Sequence, residues 1–508
     1  MERLRRQLAT RWGQLAEAWM IRQVRRGFLG TVLITLGSFT PAYLPQASPF
    51  WPTIRWLGLD HPLAQVVGTL LVLAGIGLLV SAWFRLRPWG DDRDVQAYRH
   101  VRHWAVLMVW GAPFVLAPPI FSHDAYSYAA QGWLIHNGIN PYEQGPGVLP
   151  GGFADQVAWV WRFTPAPYGP LALQINHLVV DLSGFDPYVS ALMMRIPALV
   201  GVALIGILLP RIAQRYRVDP ARAAWFGTLN PLLVIDFIGG AHNDSLMMGL
   251  VVLAIWLTRL VGWGWVPGAV IVGVAAAVKQ PALLTAYALP LVHRPWRNVQ
   301  LGETLDVIAR AMAALALSLG AFSLISWASG LGFGWQNAVN VPGLVVTVSP
   351  FPVLGQGLSW LFDLAGWTAG AESAVRWSRS IGLLSSVAIV GTLAVTVARR
   401  RPMTFLSYSY LAVAFCAPAL HSWYVLWGGL LLPLTRPSPR AIRIAVWTTL
   451  VLLAYAAVNL AVRNGFLSLG VAAVGLYYWQ SRTEDARMRT RLRRPVKEKH
   501  ESPAPSND

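Results

Sequence analysis

Long apolar runs separated by short polar connections recur from the beginning to the end of the chain. Their lengths are close to the ~20 residues that an α-helix needs to cross a bilayer. The runs that we predict as membrane helices are 28–45, 63–84, 103–120, 190–210, 223–240, 245–261, 304–328, 376–398, 403–419, 424–435, 441–462 and 465–480. With one further broken run, the pattern predicts an all-α polytopic membrane protein with roughly 13–14 membrane helical segments.

The broken run is 264–292, which is interrupted by Lys279-Gln280-Pro281. It is consistent either with one long span or with two short helices that enter the membrane and return. A single span would place the later Arg clusters on the side opposite to the earlier ones, whereas two helices keep every cluster on one side. Proline ends a helix, and broken helices are tolerated where they line a cavity. The sequence therefore favours two short helices that meet at Lys279.

Two connections, 121–189 and 330–375, are much longer than the others. The first contains a single basic residue, Arg162, against five acidic residues, and the second contains no Lys or Arg. Because cytoplasmic loops carry an excess of Lys and Arg, both connections are predicted to be external. Within the second, the apolar piece 351–367 is predicted to be an external helix along the membrane interface.

The composition and the two ends of the chain complete this picture. The 508 residues are 55% hydrophobic and only 13% charged, against about 25% charged in soluble proteins. The net charge of +18 comes from basic clusters between spans, so nucleic acid is not an expected partner. Residues 1–26 are predicted to form a cytoplasmic amphipathic helix, 27–480 the transmembrane domain, and 481–508 a disordered cytoplasmic basic tail. Both termini of this multi-pass cell-membrane protein are therefore expected in the cytoplasm.

Four polar groups that are far apart in sequence fall at the external ends of predicted helices. They are His123-Asp124, His242-Asn243-Asp244, Lys279-Gln280 and His421-Ser422-Trp423-Tyr424. Their shared position at one membrane face predicts a common site. Asp124 stands at the head of the largest external loop, where a carboxylate can reach both a lipid-linked substrate and an acceptor that arrives from water.

Transfer of a sugar from a lipid phosphate would need a base, a cation for the phosphate, and flat or polar groups for the sugars. Asp124 is the candidate catalytic base. The candidates for binding the donor phosphate are Lys279, Arg195, Arg376 and Arg379. The candidates for binding the sugars or the acceptor are His123, Tyr126, Tyr128, Gln131, Tyr142, Tyr168, His242, Asn243, Asp244, His421, Trp423 and Tyr424. The Asp and His residues lack a tight metal-ligand spacing, so no required metal is expected.

Most of these roles have a structural alternative. Asp124 can cap the helix that starts at Ala125, because Asp is a favoured N-cap residue. The arginines can extend to the lipid interface, and the Trp and Tyr residues can belong to an interfacial aromatic belt. Lys279 is different, because a lysine that interrupts an apolar run is energetically expensive and usually functional.

The alternative function is a transporter or flippase, with a binding site at the broken run 264–292. The sequence favours an enzyme for two reasons. The largest element outside the membrane begins with a carboxylate, and the chain shows no internal repeat.

Several motifs together resemble the polyprenol-phosphomannose-dependent α-1,6-mannosyltransferases of actinobacterial lipomannan and lipoarabinomannan synthesis, which belong to the GT-C superfamily. The motifs that carry the resemblance are 122–132, 140–142, 164–170, 239–244 and 421–424. The resemblance extends over roughly 28–480. It departs from the family at Gln280, where a proline is expected after Lys279.

The resemblance implies a GT-C fold with its active site on the external, periplasmic side of the cell membrane. It also implies a polyprenyl-phosphate-mannose donor, a lipid-anchored α-1,6-mannan acceptor and no separate cofactor. A β-linked donor that gives an α-linked product implies inversion in one displacement, with Asp124 as the base. Related enzymes with the same layout transfer glucose or arabinose, so the identity of the sugar stays open.

Overall fold

The computed structural model of the chain describes residues 2–89, 101–260, 262–293, 300–337, 341, 348–462, 465, 467–475 and 477. Every regular element within these residues is a helix. The predicted all-α, multi-pass membrane class is therefore confirmed. The predicted tail 481–508 lies outside the described residues, as do parts of the segments 330–375 and 465–480.

Among the residues that the structure describes, the amino-terminal part consists of five helices and a short turn. They are α1 (Glu2–Met20), α2 (Arg22–Ser38), α3 (Trp51–Trp56), α4 (Pro62–Arg85) and α5 (His103–Gly111), followed by a 3-10 turn at Ala112–Val115. Helices α2 and α4 pack closely because Gly30 and Gly75 have no side chains. A Cβ at either position would collide with the backbone of the other helix.

The long loop is a set of short helices rather than an extended connection. They are α6 (Asp124–His136), α7 (Gly152–Asp155), α8 (Trp159–Arg162), α9 (Pro170–Leu182) and α10 (Pro187–Met193). Helices α6 and α9 lie against each other at Gly132, where a Cβ would collide with the backbone of Asn176. A separate core of buried side chains, including Tyr126, Phe153 and Val180, holds this group of helices together.

The remaining helices form the body of the membrane domain. They are α11 (Arg195–Arg215), α12 (Pro220–Phe226), a π-helix (Leu233–Gly239), α13 (Asp244–Thr258), α14 (Trp265–Val278), a 3-10 turn (Gln280–Leu283), α15 (Leu284–His293), α16 (Leu301–Ala328), α17 (Pro350–Leu364), α18 (Thr368–Thr396), α19 (Pro402–Cys416), short turns at Ser422–Tyr424 and Leu432–Thr435 around α20 (Val425–Gly429), and α21 (Pro439–Val462). Proline begins many of these helices, because its fixed φ suits the first turn and its missing N–H is not needed there.

Five stretches among the described residues are long and apolar enough to cross a membrane: α4, the run Pro187–Arg215, α16, α18 and α21. The π-helix and α13 add a sixth if their pair, bent by 113°, counts as one span. The other predicted membrane segments are shorter helices or breaks, such as α5, α14 and α19. Prolines explain several of these breaks, since Pro113, Pro281 and Pro418 follow the ends of α5, α14 and α19.

The predicted break within 264–292 is present in the structure. Helix α14 ends at Val278, and Lys279 has extended backbone angles of φ −154° and ψ 126°. A 3-10 turn then leads into α15. The backbone of Gly169 in the long loop donates a hydrogen bond of 3.0 Å to the carbonyl of Val278. A side chain at position 169 would collide with Ala277, so glycine allows the loop to reach this break.

Candidate active site

A cavity of about 610 Å³ lies where the long loop meets the break after α14. Asp124 and Lys279 both face it. Among the described residues, the lining consists of Asp124, Ser127, Gln131, Trp161, Thr164, Pro165, Pro167, Tyr168, Lys279, Gln280, Pro281, Trp335, Gln336, Val341, Leu383, Val413, Ala417, Pro418, His421, Tyr424 and Trp427. The lining therefore brings together three of the four polar groups that the sequence placed at one membrane face, and the fourth lies directly behind it.

Asp124 is the first residue of α6, and its side chain remains 18% exposed. Its backbone N–H donates a hydrogen bond of 3.0 Å to Ser122 Oγ. The N-cap position is occupied by His123, whose side chain forms no capping hydrogen bond. The alternative in which Asp124 only caps α6 is therefore not what the geometry favours, because the carboxylate faces the cavity and His242.

His242 is completely buried next to Asp124, with 3.5 Å between His242 Nδ1 and Asp124 Oδ2. This is the outer limit of a hydrogen bond. One face of its ring stacks on Trp423 with centroids 3.6 Å apart, and Trp423 stacks in turn on His421 at 4.5 Å. The three stacked rings fix the position of His242, so its distance from Asp124 is set by packing rather than by the contact itself.

Two non-glycine residues with positive φ lie shortly before Asp124 and His242 in the chain. Phe121 has φ 58° and lies three residues before Asp124, and Ala241 has φ 57° and lies directly before His242. Such residues are uncommon outside glycine and are concentrated at functional sites, where surrounding structure compensates for the strain. Both positive-φ residues therefore lie within three residues of Asp124 or His242.

The pKa of the Asp124 carboxyl is lowered to about 2. Burial alone would raise this pKa, but the neighbouring His242, the charge of His421 and the hydroxyl of Ser122 together outweigh burial and lower it. Burial lowers the pKa of His421 to about 4. Asp124 is therefore ionised and His421 neutral at pH 7.

Lys279 and Asp244 form a buried ion pair beside the cavity. Lys279 Nζ lies 2.9 Å from Asp244 Oδ1 and 2.8 Å from Oδ2. Trp427 Nε1 donates a further hydrogen bond of 2.7 Å to Asp244 Oδ1. The ammonium also lies over the rings of Tyr424 and Trp427, at 4.6 and 5.4 Å from their centroids. Lys279 thus lines the cavity and already has a carboxylate partner, and its role as a phosphate ligand stays a prediction.

Several predicted sugar-binding residues support the cavity wall and do not line it. The Tyr128 hydroxyl lies 3.5 Å from Asn243 Oδ1, and its ring packs edge-on against Tyr168. The Tyr142 hydroxyl donates to the backbone carbonyl of Tyr168 at 2.8 Å. Gln131, Tyr168, His421 and Tyr424 line the cavity, whereas the predicted residues outside its lining are His123, Tyr126, Tyr128, Tyr142, His242, Asn243, Asp244 and Trp423.

The three predicted arginines are not part of the lining. Arg195 is buried and donates to the carbonyls of Ile238, Gly239 and Val115. Its guanidinium therefore holds the end of the π-helix, which corrects the prediction that it binds a phosphate. On α18, Arg376 is exposed and donates to Ser373 Oγ. Arg379 lies one turn before Leu383, which does line the cavity.

The sequence interpretation missed Asp236 and Trp427. Asp236 is completely buried in the π-helix and accepts a hydrogen bond of 2.8 Å from Ser422 Oγ. An acidic residue inside the apolar run 223–240 was a visible signal, since such residues are rare in membrane segments. Trp427 had no such signal, because a tryptophan in an apolar stretch is ordinary.

The fold and this site together define a multi-pass membrane protein with an ionised carboxylate and a buried cation at one cavity that is rich in aromatic side chains. The comparison with known families agrees. Residues 24–294 match the family described as "Alpha-(1->6)-mannopyranosyltransferase, N-terminal domain", and residues 353–478 match the "MptB C-terminal domain". The chain belongs to the α-(1→6)-mannopyranosyltransferase family and is a glycosyltransferase.

Individual relatives come from mycobacteria and corynebacteria. A probable α-(1→6)-mannopyranosyltransferase of Mycolicibacterium smegmatis is 30% identical over 469 residues, which cover 85% of this chain and 82% of the relative. The α-(1→6)-mannopyranosyltransferase A of Mycobacterium tuberculosis is 31% identical over 82% of this chain and 80% of its own length. That of Corynebacterium glutamicum is 31% identical over 59% and 64%, respectively. No solved structure matches the chain.

Proposed function

We propose that this glycosyltransferase moves mannose from polyprenyl-phosphate-mannose to a lipid-anchored α-1,6-mannan on the external face of the membrane. The names of the relatives support mannose as the sugar and α-1,6 as the linkage. The observation that carries the proposal is the position of Asp124. An ionised carboxylate faces a cavity of about 610 Å³ that also presents Lys279 and several aromatic rings.

In this proposal, Asp124 is the general base of a single inverting displacement. The acceptor hydroxyl oxygen forms a bond to the anomeric carbon while the bond from that carbon to the phosphate oxygen breaks. The hydroxyl proton passes to Asp124, and the electron pair leaves with polyprenyl phosphate. With a pKa of about 2, Asp124 is ionised before the reaction and takes the proton only as the hydroxyl becomes acidic in the transition state.

The donor phosphate is proposed to bind beside Lys279. An ammonium is a compact point charge suited to an anionic lipid head group, and Asp244 with Trp427 holds it at the cavity wall. The predominantly apolar lining, which includes Pro281, Val413 and Leu383, suits the first isoprene units of the lipid. The rings of Trp161, Trp335 and Tyr168 offer flat surfaces for sugars.

The external location is proposed from the charge pattern of the connections. The long loop that begins with Asp124 contains one basic residue, whereas Arg clusters mark the opposite ends of the helices. To test it, the lone Cys416 is replaced by Ala, and a single cysteine is placed at exposed Pro150 or at exposed Ser438. A membrane-impermeant thiol reagent should label intact cells at position 150 but not at 438. The reverse pattern would overturn the external site.

The sugar is tested with purified protein in lipid vesicles that is given polyprenyl-phosphate-mannose, -glucose or -arabinose, together with a short α-1,6-mannan acceptor. Transfer of mannose alone, with an α-1,6 bond in the product, is the expected result. Transfer of another sugar in preference to mannose would overturn the proposed donor while leaving the family assignment intact.

A further inference from the structure

A second group of polar side chains lies at the far end of α6 from Asp124. It consists of His136 in the last turn of α6 and of His177 and Asp181, which are one turn apart on α9. His136 Nδ1 is 3.0 Å from Asp181 Oδ1, and His177 Nε2 is 3.4 Å from Asp181 Oδ2. One ligand atom from each of the three side chains lies within 4.8 Å of the others.

The helices that carry these side chains are held in close contact. At Gly132 the α6 backbone touches the backbone of Asn176, the residue directly before His177. The His136 ring stacks on Trp133 with centroids 5.2 Å apart and packs against Phe185 at 4.4 Å. Packing therefore fixes the backbone approach of the two helices and the His136 ring, which brings the three side chains near one another before any ion binds.

The charges around the cluster favour a cation. The loop 121–189 contains Arg162 as its single Lys or Arg, and Arg162 lies 3.2 Å from Asp155. Among the described residues, the ion-pair partners of Asp181 are the two imidazoles. The side chains of His136, His177 and Asp181 are 35%, 29% and 41% exposed, so an ion and a water molecule can reach them.

We propose that His136, His177 and Asp181 bind one Zn²⁺ ion, with water as the fourth ligand. Two imidazoles and a carboxylate are ligands that zinc takes in tetrahedral sites. Bonds of about 2.0–2.2 Å in a tetrahedron place neighbouring ligand atoms about 3.3–3.5 Å apart. The observed 3.0 and 3.4 Å lie close to this separation, and because they are measured to the two different oxygens of Asp181, the carboxylate turns one oxygen toward both imidazoles when the ion binds. The remaining pair, within 4.8 Å, closes by a small side-chain rotation.

This zinc site is structural and separate from the cavity. Helix α6 has 13 residues, so at about 1.5 Å per residue its ends are about 18 Å apart. The ion would join the end of α6 to α9 and so fix the helix whose first residue is Asp124. We therefore expect zinc to raise the melting temperature of the protein and to leave the chemistry at Asp124 unchanged.

The test uses the full chain, purified without a histidine tag, stripped with a chelator and titrated with ZnCl₂. One tightly bound zinc per chain, measured by elemental analysis after desalting, and a higher melting temperature are expected. His177→Ala and Asp181→Asn should lose the bound zinc and the temperature shift while eluting normally from a sizing column. His61→Ala removes an exposed histidine elsewhere and should keep both.

Cobalt provides a readout that needs no variant. Co²⁺ added to the stripped wild-type protein should give the visible absorption of a tetrahedral nitrogen and oxygen site, and ZnCl₂ should displace it. Zinc bound equally by the wild type and by His177→Ala would overturn the proposal. So would wild-type protein that binds no zinc even though the variants melt earlier, because the cluster would then be an ordinary His–Asp ion pair.

Discussion

Two carboxylates near the same cavity, Asp244 and Asp124, differ in burial and in the number of their partners. Asp244 is completely buried, bridged by Lys279 at 2.8 Å and held by Trp427 at 2.7 Å. Asp124 is 18% exposed, and its ion-pair contact with His242 is a long 3.5 Å. Asp244 is thus saturated with donors, whereas Asp124 keeps acceptor capacity directed toward the cavity.

This difference distinguishes Asp244, which holds Lys279 in place, from Asp124, which can accept a proton from a substrate. A carboxylate that must take a proton from a substrate needs a free lone pair within reach of that substrate. A carboxylate that holds a lysine needs its lone pairs occupied, because an unpaired buried charge is costly. Removing the charge of Asp124 is therefore expected to reduce catalysis, whereas breaking the pair of Asp244 with Lys279 is expected to reduce stability.

The largest expected effect comes from removing the charge of Asp124. Asp124→Asn keeps the size of the side chain and a good helix-start residue, so the protein should melt within a few degrees of the wild type. Transfer should fall by about 10²–10⁴-fold, the usual contribution of a general base. Turnover is measured with purified protein and lipid-linked donor, and donor binding by lipid co-purification. Near-normal turnover by a folded Asp124→Asn protein would contradict the assignment of the base.

The second prediction breaks the buried pair. Lys279→Met leaves Asp244 without its cation, which should destabilise the protein by about 3–5 kcal/mol. The double variant Lys279→Met with Asp244→Asn removes both charges and should recover most of that stability. It should nevertheless use the donor poorly, with a raised KM, because the phosphate has lost its cation. Recovery of both stability and donor use in the double variant would show that Lys279 is only structural.

The part of this picture that could be predicted from the sequence is the part that depends on local composition. Apolar run lengths and Arg clusters indicated a multi-pass helical membrane protein, and Lys279-Gln280-Pro281 indicated the break after α14. The motif residues Asp124, Lys279 and His421 were placed at one site from their shared membrane face, and the structure brings all three to one cavity.

The roles within the site could not be predicted in the same way, because they depend on partners that are remote in sequence. Asp244 and Lys279 are 35 residues apart, and Asp244 and Trp427 are 183 apart. The same limitation explains the error at Arg195, whose carbonyl partners at Ile238 and Gly239 belong to a π-helix that hydropathy cannot distinguish from an ordinary span. The cluster of His136 with His177 and Asp181 also crosses two helices.

A third prediction sharpens the comparison by removing the contact between Asp124 and His242. His242→Phe keeps a ring that can stack on Trp423 but removes the contact with the carboxylate. Activity should fall by about tenfold, which corresponds to ~1.4 kcal/mol. Because the His242 hydrogen bond lowers the pKa of Asp124 while burial raises it, this pKa should rise well above about 2 in the variant.

The sign of the pH effect follows from the base having to be ionised. Activity that depends on Asp124 is present above its pKa and is lost as the pH falls through that value. In His242→Phe, the acid limb of kcat/KM should therefore move to higher pH than in the wild type. The charge of His421 also acts on Asp124. His421 is present in both the wild type and His242→Phe, so it does not contribute to the difference between them. An unchanged acid limb would show that His242 does not set the charge state of Asp124.

The smallest expected effect on catalysis comes from Arg195. Arg195→Leu removes the side-chain donors of the Ile238 and Gly239 carbonyls, at a cost of about 1–3 kcal/mol, although the backbone N–H of Ile120 still donates to Gly239. The melting temperature should fall, because these carbonyls end the π-helix that precedes His242. The KM for the donor should stay close to that of the wild type, measured below the new melting temperature, since Arg195 does not line the cavity. A raised donor KM with an unchanged melting temperature would restore the phosphate role that its position at a helix end first suggested, and would place a second cation on the donor.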